Sequence, residues 1–265
     1  MLKYPYKFYD DLYIYNVAKK NIKINDEDLI GVWEEEDTLL LFFHKNKDEL
    51  IENCNFKLFF STKIKYNEWE SGKFIKPFRI GEYYVEPVWE ASKNSANDNR
   101  IVIDPSVVFG SGFHPTTRMI MEAFDELTVK EKFTSCIDLG CGTGILGILA
   151  SKKGINKVFA VDNNNLSYEV ALKNRKLNNV FIDVAKGDIF DFLPYNYDIV
   201  FANLYYHLLH DLFANRGFWQ AEYYFISGFI EKMEREIIEK IQGRAEIVER
   251  KSNDGWVMLM LRRKI

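Results

Sequence analysis

The chain has 265 residues, 47% hydrophobic and 28% charged, with 35 Lys and Arg against 39 Asp and Glu, a formal net charge of −4 and a pI near 5.7. That profile suits a soluble protein able to bury a core, in one large domain or two small ones, and it argues against direct nucleic-acid binding, which needs a basic patch and a high pI. Three cysteines without a C-x-x-C pair, no apolar run near the roughly 18 residues of a membrane span, and no apolar leader core in "MLKYPYKFYDD" point to a reducing, cytoplasmic setting with no disulfide framework, zinc site or membrane association.

Residues 1–75 mix short strand-like runs, "TLLLFF" (38–43) and "FKLFF" (56–60), with charged, helical-looking stretches, and they read as a smaller α+β domain. Many of the 21 Phe and 15 Tyr lie in the first 90 residues, where they supply core and inter-domain packing. The same 90 residues carry 13 Lys and Arg against 17 Asp and Glu, with an acidic run "NDEDLIGVWEEED" (25–37), so the whole formal charge sits there. An acidic front suits a basic protein partner, or it is a solvated surface. Residues 76–100 form a linker: "KPFRIGEYYVEPVWE" (76–90) reads as one or two short strands around Gly81, and "ASKNSANDNR" (91–100) as a polar loop or hairpin tip.

From 101 to 265 strands and helices alternate. "IVID" (101–104), "SCIDLG" (135–140), "KVFAVD" (157–162), "VFIDVA" (180–185), "YDIVFAN" (197–203) and "YYFIS" (223–227) read as strands. Helices are expected at 145–154, with Gly154 as the stop, at 164–178 and at 229–241. "RAEIVERKS" (244–252) and "WVMLMLRR" (256–263) read as a closing antiparallel pair. This order implies an α/β domain built on a mostly parallel sheet of about seven strands with helices on both faces.

In such a sheet the ligand sits at the carboxyl ends of the strands. "DLGCGTG" (138–144) places Gly140, Gly142 and Gly144 after the first strand, where backbone without Cβ atoms can touch a ligand. Asp162 ends the next strand, 22 residues beyond Gly140, at the spacing of an acid that binds ribose hydroxyls. Two ligands fit this much: a nicotinamide dinucleotide and S-adenosylmethionine. The dinucleotide fingerprint is G-x-G-x-x-G, whereas here it is G-x-G-x-G preceded by Asp138. Asp188, in "KGDIF" (186–190), either faces an adenine amino group or caps a turn. A second glycine turn, "FGSGFHPTTR" (109–118), precedes the first within thirty residues. Gly110 and Gly112 let that loop fold over a ligand, Pro115 suits a first helical turn, and Thr116 and Thr117 offer hydroxyls at the helix start for a carboxylate.

"DPSVVFGSGFHPTTRMIMEAFDEL", "DLGCGTGILGILASKKG", "VDNN", "AN" and "SGFI" together resemble the ribosomal protein L11 methyltransferases, whose pattern runs Asp-Pro-Gly-Leu-Ala-Phe-Gly-Thr-Gly-Thr-His-Pro-Thr-Thr. The resemblance covers about 76–262, including the linker and "DGWV" (254–257), and its HPTT segment is absent from most class I methyltransferases. It implies a Rossmann-like class I methyltransferase domain with a seven-stranded sheet, S-adenosylmethionine as cofactor, and N-methylation of lysine or amino-terminal amines of ribosomal protein L11. It carries cofactor contacts to Phe109, Gly110, Thr117, Asp138, Gly140, Gly142, Gly144, Asp162, Asn163, Asp188 and Asn203. Asn203 is the expected catalytic residue: its side-chain oxygen and a nearby carbonyl would hold the amine N–H groups and aim the lone pair at the methyl. His114 is expected to be structural or capping rather than catalytic, and Cys141 a small packing residue. Two departures stand out: Tyr205, Tyr206 and His207 replace the family's smaller residues, as pocket-shaping groups, aids to amine deprotonation or helix-surface residues, and the front domain is about 25 residues shorter than the family's. Rivals are a related lysine methyltransferase with another target such as a flavoprotein subunit, a nicotinamide-dependent oxidoreductase, and a non-catalytic S-adenosylmethionine-binding protein.

Overall fold

The computed structural model describes residues 11–21, 24–66, 69, 76–91 and 99–264. The first ten residues, read above for a leader, and most of the loop expected at 91–100 lie outside them.

Three sheets organise the chain. The first is antiparallel, in the order β2-β3-β1-β4, from β1 (Asp11–Ala18), β2 (Leu29–Glu34), β3 (Thr38–Phe43) and β4 (Leu58–Lys65). Its alternation is clean: Leu12, Ile14, Trp33, Leu40 and Phe42 serve one face, and Val17, Leu39, Leu41 and Phe43 the other. The acidic run at 25–37 therefore contains a strand, β2. The short helix α1 (Asp48–Asn53) covers the second face through Ile51. Asn55 ends α1 in the left-handed region, with Asn55 N–H donating to Glu52 O and Phe56 N–H to Ile51 O. This two-bond stop holds residues 55 and 56, so β4 begins at Leu58 rather than at 56.

The second sheet pairs β5 (Phe78–Ile80) with β6 (Tyr83–Pro87) as a hairpin around Gly81, and adds β7 (Arg100–Ile103) parallel to β6. The third runs β10-β9-β8-β11-β12-β14-β13, from β8 (Ser135–Leu139), β9 (Lys157–Asp162), β10 (Asp183–Lys186), β11 (Ile199–Asn203), β12 (Tyr223–Ile230), β13 (Ala245–Asn253) and β14 (Trp256–Arg263). β8 to β12 are parallel, and the last two strands close the sheet antiparallel, as expected. α2 (Pro115–Lys130), α3 (Ile145–Lys152) and α4 (Asn165–Leu177) cover one face, around Phe124, Phe201 and Phe225. α5 (Tyr206–Ala214) and α6 (Glu231–Ile241) cover the other, with Phe218, Trp219 and Tyr224. β8 is buried at all five positions because helices cover both its faces. α3 stops at Gly154 (φ +90°), as the glycine suggested. α6 starts two residues later than expected because β12 continues to Ile230 past Gly228, whose φ of +100° breaks the register with β14.

α4 locks the middle sheet to this domain. Asn174 Oδ1 accepts from Asp104 N–H (2.9 Å), while its Nδ2 donates to Asp104 O (3.0 Å) and Thr143 O (2.9 Å). One turn later Asn178 makes the same two-way pairing with the backbone of Val102 (2.8 and 2.7 Å). Two asparagines four residues apart thus substitute for a neighbouring strand along β7, and Lys173 forms an ion pair with the buried Asp104.

Candidate active site

The carboxyl ends of β8, β9, β10 and β11 open into a cavity of about 500 Å³, within the usual range of ligand sites. The two glycine turns meet in its wall as one packed unit. Thr143 N–H donates to Phe109 O (3.1 Å) and the Thr143 hydroxyl to Gly110 O. Gly142 sits at φ +52°, and a Cβ there would lie 2.2 Å from Phe109 O. Glycine is required at this position both by backbone conformation and by the close approach of the other loop. Gly228 plays the corresponding part opposite: a Cβ would lie 2.0 Å from Leu204 O, and Leu204 N–H donates to Ser227 O (3.1 Å). The end of β12 thereby fixes the backbone that follows Asn203.

Of the expected residues, Phe109, Gly110, Thr117, Asp138 and Gly140 line the cavity, as do Gly142, Asp162, Asn163, Asp188 and Asn203. Gly144 does not. It precedes α3 at φ +78° and faces Ala171, 3.2 Å from where its Cβ would lie. Its role is to let α3 and α4 pack closely. His114 also lies outside the lining. It caps α2: Nδ1 accepts from Thr116 N–H (3.3 Å) and lies 2.8 Å from Thr116 Oγ1, with the ring held between Phe109 and Trp256. Cys141 is buried beside the cavity, which pushes its thiol well above the ordinary range and leaves it inert.

Four carboxylates line the cavity, Glu34 from the first sheet and three aspartates at the strand ends. Asp138, 2% exposed, accepts a long bond from Gly147 N–H (3.3 Å) as its one hydrogen bond among the described residues, and burial pushes its carboxyl up to about 7. Asp162 is also raised by burial, opposed by bonds from Gly142 N–H and Asn164 N–H (both 2.9 Å). The Ser167 side chain opposes the rise as well, and the carboxylate, with about four acceptor positions, retains capacity for a ligand. Asp188 is exposed at the rim, where Oδ1 caps a 3-10 turn through Phe190 N–H (3.0 Å). The turn-capping reading of Asp188 is thus realised, and its second oxygen makes no part of that cap. Such a wall favours cationic or donor-rich groups.

Asn203 ends β11. Its Nδ2 donates to Thr117 Oγ1 (3.1 Å), which fixes the amide, while its Oδ1 is buried without a hydrogen-bond partner among the described residues. A buried unpaired acceptor costs about 1–3 kcal/mol, and here it belongs to a cavity-lining residue. Thr117 accepts that bond with its hydroxyl oxygen and keeps its proton for another acceptor. Tyr205 lines the cavity and is 75% exposed, whereas Tyr206 and His207 do not line it, and Tyr206 hydrogen-bonds Glu236.

Other lining residues escaped sequence reasoning. Trp256 and Gly228 belong to "DGWV" and "SGFI", whose glycines gave a signal without a location. Trp33 and Glu34, from the first sheet, gave none. Among the described residues no group of three His, Cys, Asp or Glu could hold a metal, and no helix is long and apolar enough to cross a membrane.

Residues 7–264 match the family "Ribosomal protein L11 methyltransferase (PrmA)", so the similarity extends into the front domain, beyond the 76–262 read from the motifs. A ribosomal protein L11 methyltransferase of Caldicellulosiruptor saccharolyticus is 34% identical over 200 residues, 74% of this chain and 65% of the relative. One from Thermoanaerobacter sp. is 32% identical over 209 residues, 77% of this chain and 67% of the relative. The chain thus spans about two thirds of the length of these curated relatives. Among solved structures, the crystal structure of a ribosomal protein L11 methylase from Lactobacillus delbrueckii superposes with a TM-score of 0.60 at 25% identity, over 69% of this chain and 96% of that one.

Proposed function

Because the chain belongs to the ribosomal protein L11 methyltransferase family, we propose that it methylates lysine or amino-terminal amines of ribosomal protein L11 in the cytoplasm, with S-adenosylmethionine as donor. The observation that carries this reading is Asn203: an amide anchored at one end by Thr117, with a buried, unpaired oxygen at the other. An incoming amine is a donor of the kind this oxygen lacks.

The cavity fits the donor. Gly140 and Gly142 bring bare backbone to it, Asp162 and Asn163 supply acceptors for ribose hydroxyls, and Asp188 has an oxygen for an adenine amino group. Asp138 would face the cationic methionine end, and Thr117 has a hydroxyl proton for its carboxylate. When bound, the cofactor supplies an electrophilic methyl on a sulfonium. The protein's own part is positioning. Asn203 Oδ1 accepts one N–H of a neutral amine and directs its lone pair. The backbone after Asn203 is held by Gly228 and Ser227. Phe109, Leu204 and Trp256 keep water from the approach. No general base among the lining residues is needed if the amine arrives neutral.

We assign residues 101–265 to the methyltransferase domain, 76–100 to a linker and 1–75 to substrate presentation, the acidic front matching a basic ribosomal protein. The test is a labelling reaction of purified protein with methyl-labelled S-adenosylmethionine and large-subunit proteins from a strain lacking its own enzyme. Label on ribosomal protein L11 supports the proposal. Label on a different protein, with none on L11, refutes the substrate and leaves the chemistry.

A further inference from the structure

We propose that the first sheet is a fixed wall of the cofactor cavity, with Trp33 covering the adenosine half of the bound molecule. The proposal rests on the reading of the cavity as an S-adenosylmethionine site. Trp33 lines the same cavity as Gly140, Asp162 and Asp188, although it precedes all three by more than 100 residues.

The contact between sheet and helix is close and specific. Gly31 and Trp33 are two residues apart on β2, beyond its register shift at Leu29/Gly31, and so point to one face. That face meets α4: a Cβ on Gly31 would lie 2.6 Å from Leu166. Gly31 therefore allows β2 to sit directly on the first turn of α4. Leu166 follows the Asn164 cap and lies four residues past Asp162, and Asn163, Asn164 and Ser167 of this turn line the cavity. Trp33 consequently stands over the stretch where Asp162 would hold the ribose. Trp33, Leu12, Ile14 and Phe42 share one hydrophobic cluster with Val107, Val108 and Leu166, so this face of the sheet shares its apolar core with the catalytic domain. The Tyr66 hydroxyl also donates to Ser106 O, tying the sheet to the segment that leads into Phe109. A half-buried indole beside the ribose site has the flat apolar surface to pack on a purine or ribose, as aromatic side chains do with bases.

This gives the front sheet a second task besides substrate presentation, and it predicts that cofactor affinity depends on a residue outside the methyltransferase domain. The test is calorimetric binding of S-adenosylhomocysteine and of 5′-methylthioadenosine, which keeps the adenosine half alone, to full-length wild type, Trp33→Phe, Trp33→Leu and Gly31→Trp. Trp33→Leu should weaken both ligands by the same factor, about tenfold, and Trp33→Phe should restore most of it. Gly31→Trp, too bulky for a turn of the Leu166 side chain to absorb, separates β2 from α4 while keeping the Trp33 indole, and it should weaken both as well. If Trp33→Leu does not fold, equal affinities in wild type and Gly31→Trp overturn the proposal. Unchanged affinity in a folded Trp33→Leu also overturns it, while wild-type binding leaves the cofactor assignment standing. Failure of wild type to bind either ligand overturns the cofactor assignment and this proposal together.

Discussion

Asp138 offers a quantitative test of the site's electrostatics. Its carboxyl is 2% exposed, has a single bond of 3.3 Å among the described residues, and is pushed up to about 7 by burial from an ordinary value of 3.8. A raised carboxyl binds its proton more tightly in the folded state than in the unfolded one, so stability falls as pH rises from about 4 to about 7 and is level above. Integrated between pH 5 and pH 8, this single group removes about 2.5 kcal/mol. Asp138→Asn retains an acceptor for Gly147 N–H but has no charge to bury. The stability difference between variant and wild type, from urea unfolding at pH 5, 6, 7 and 8, should therefore shift in the variant's favour by about that amount, or roughly 5–10 °C in Tm. Below pH 7 the cationic end of the cofactor should expel the Asp138 proton, so binding calorimetry in buffers of different ionisation enthalpy should reveal proton release in wild type and none in the variant. A stability difference that stays constant with pH would refute the reasoning, because Asp138 would then be ionised throughout.

Other consequences follow from the backbone. Gly142→Ala places a Cβ against Phe109 O at a left-handed position; it should cost about 1–3 kcal/mol in thermal unfolding and abolish cofactor binding. Ser106 has φ +47° where the family pattern has glycine, so Ser106→Gly should raise stability by about 0.5–1 kcal/mol without changing cofactor affinity. Asn174→Ala leaves buried groups of Asp104 and Thr143 unpaired; a loss of about 2–4 kcal/mol is expected by urea unfolding, with weaker cofactor binding as the 104–110 segment loosens.

The methyltransferase domain was readable because its signals are local. Apolar runs such as "SCIDL" and "KVFAVD" end in a glycine or an acid, and the two glycine turns carry their own conformational demands in their composition. Contacts between distant segments were not readable. Asn174 and Asn178 look like ordinary polar residues of a helix surface, and nothing in "KNRKLNN" shows that they pair with β7. Trp33 is followed directly by four acidic residues, Glu34 to Asp37, and the charge of that run hides the alternation of Val32 and Trp33 between two faces. Gly144 was misplaced for a related reason: a glycine in a ligand-binding turn can serve helix packing instead, as Ala171 shows. β10 starts at Asp183 rather than 180 because Phe181 is left 74% exposed and outside the ladder.

The central claim is that Asn203 aims an amine at a methyl donor held by the glycine turns. It is tested most directly by separating binding from turnover in Asn203→Ala. Intact-mass analysis of purified ribosomal protein L11 should show stepwise methyl additions with wild type, slowed about a hundredfold or more with the variant, while calorimetry shows S-adenosylhomocysteine still bound by the variant, weakened by no more than about tenfold through the lost contact to Thr117. Methyl addition at the wild-type rate by Asn203→Ala, with the cofactor bound, would contradict the account.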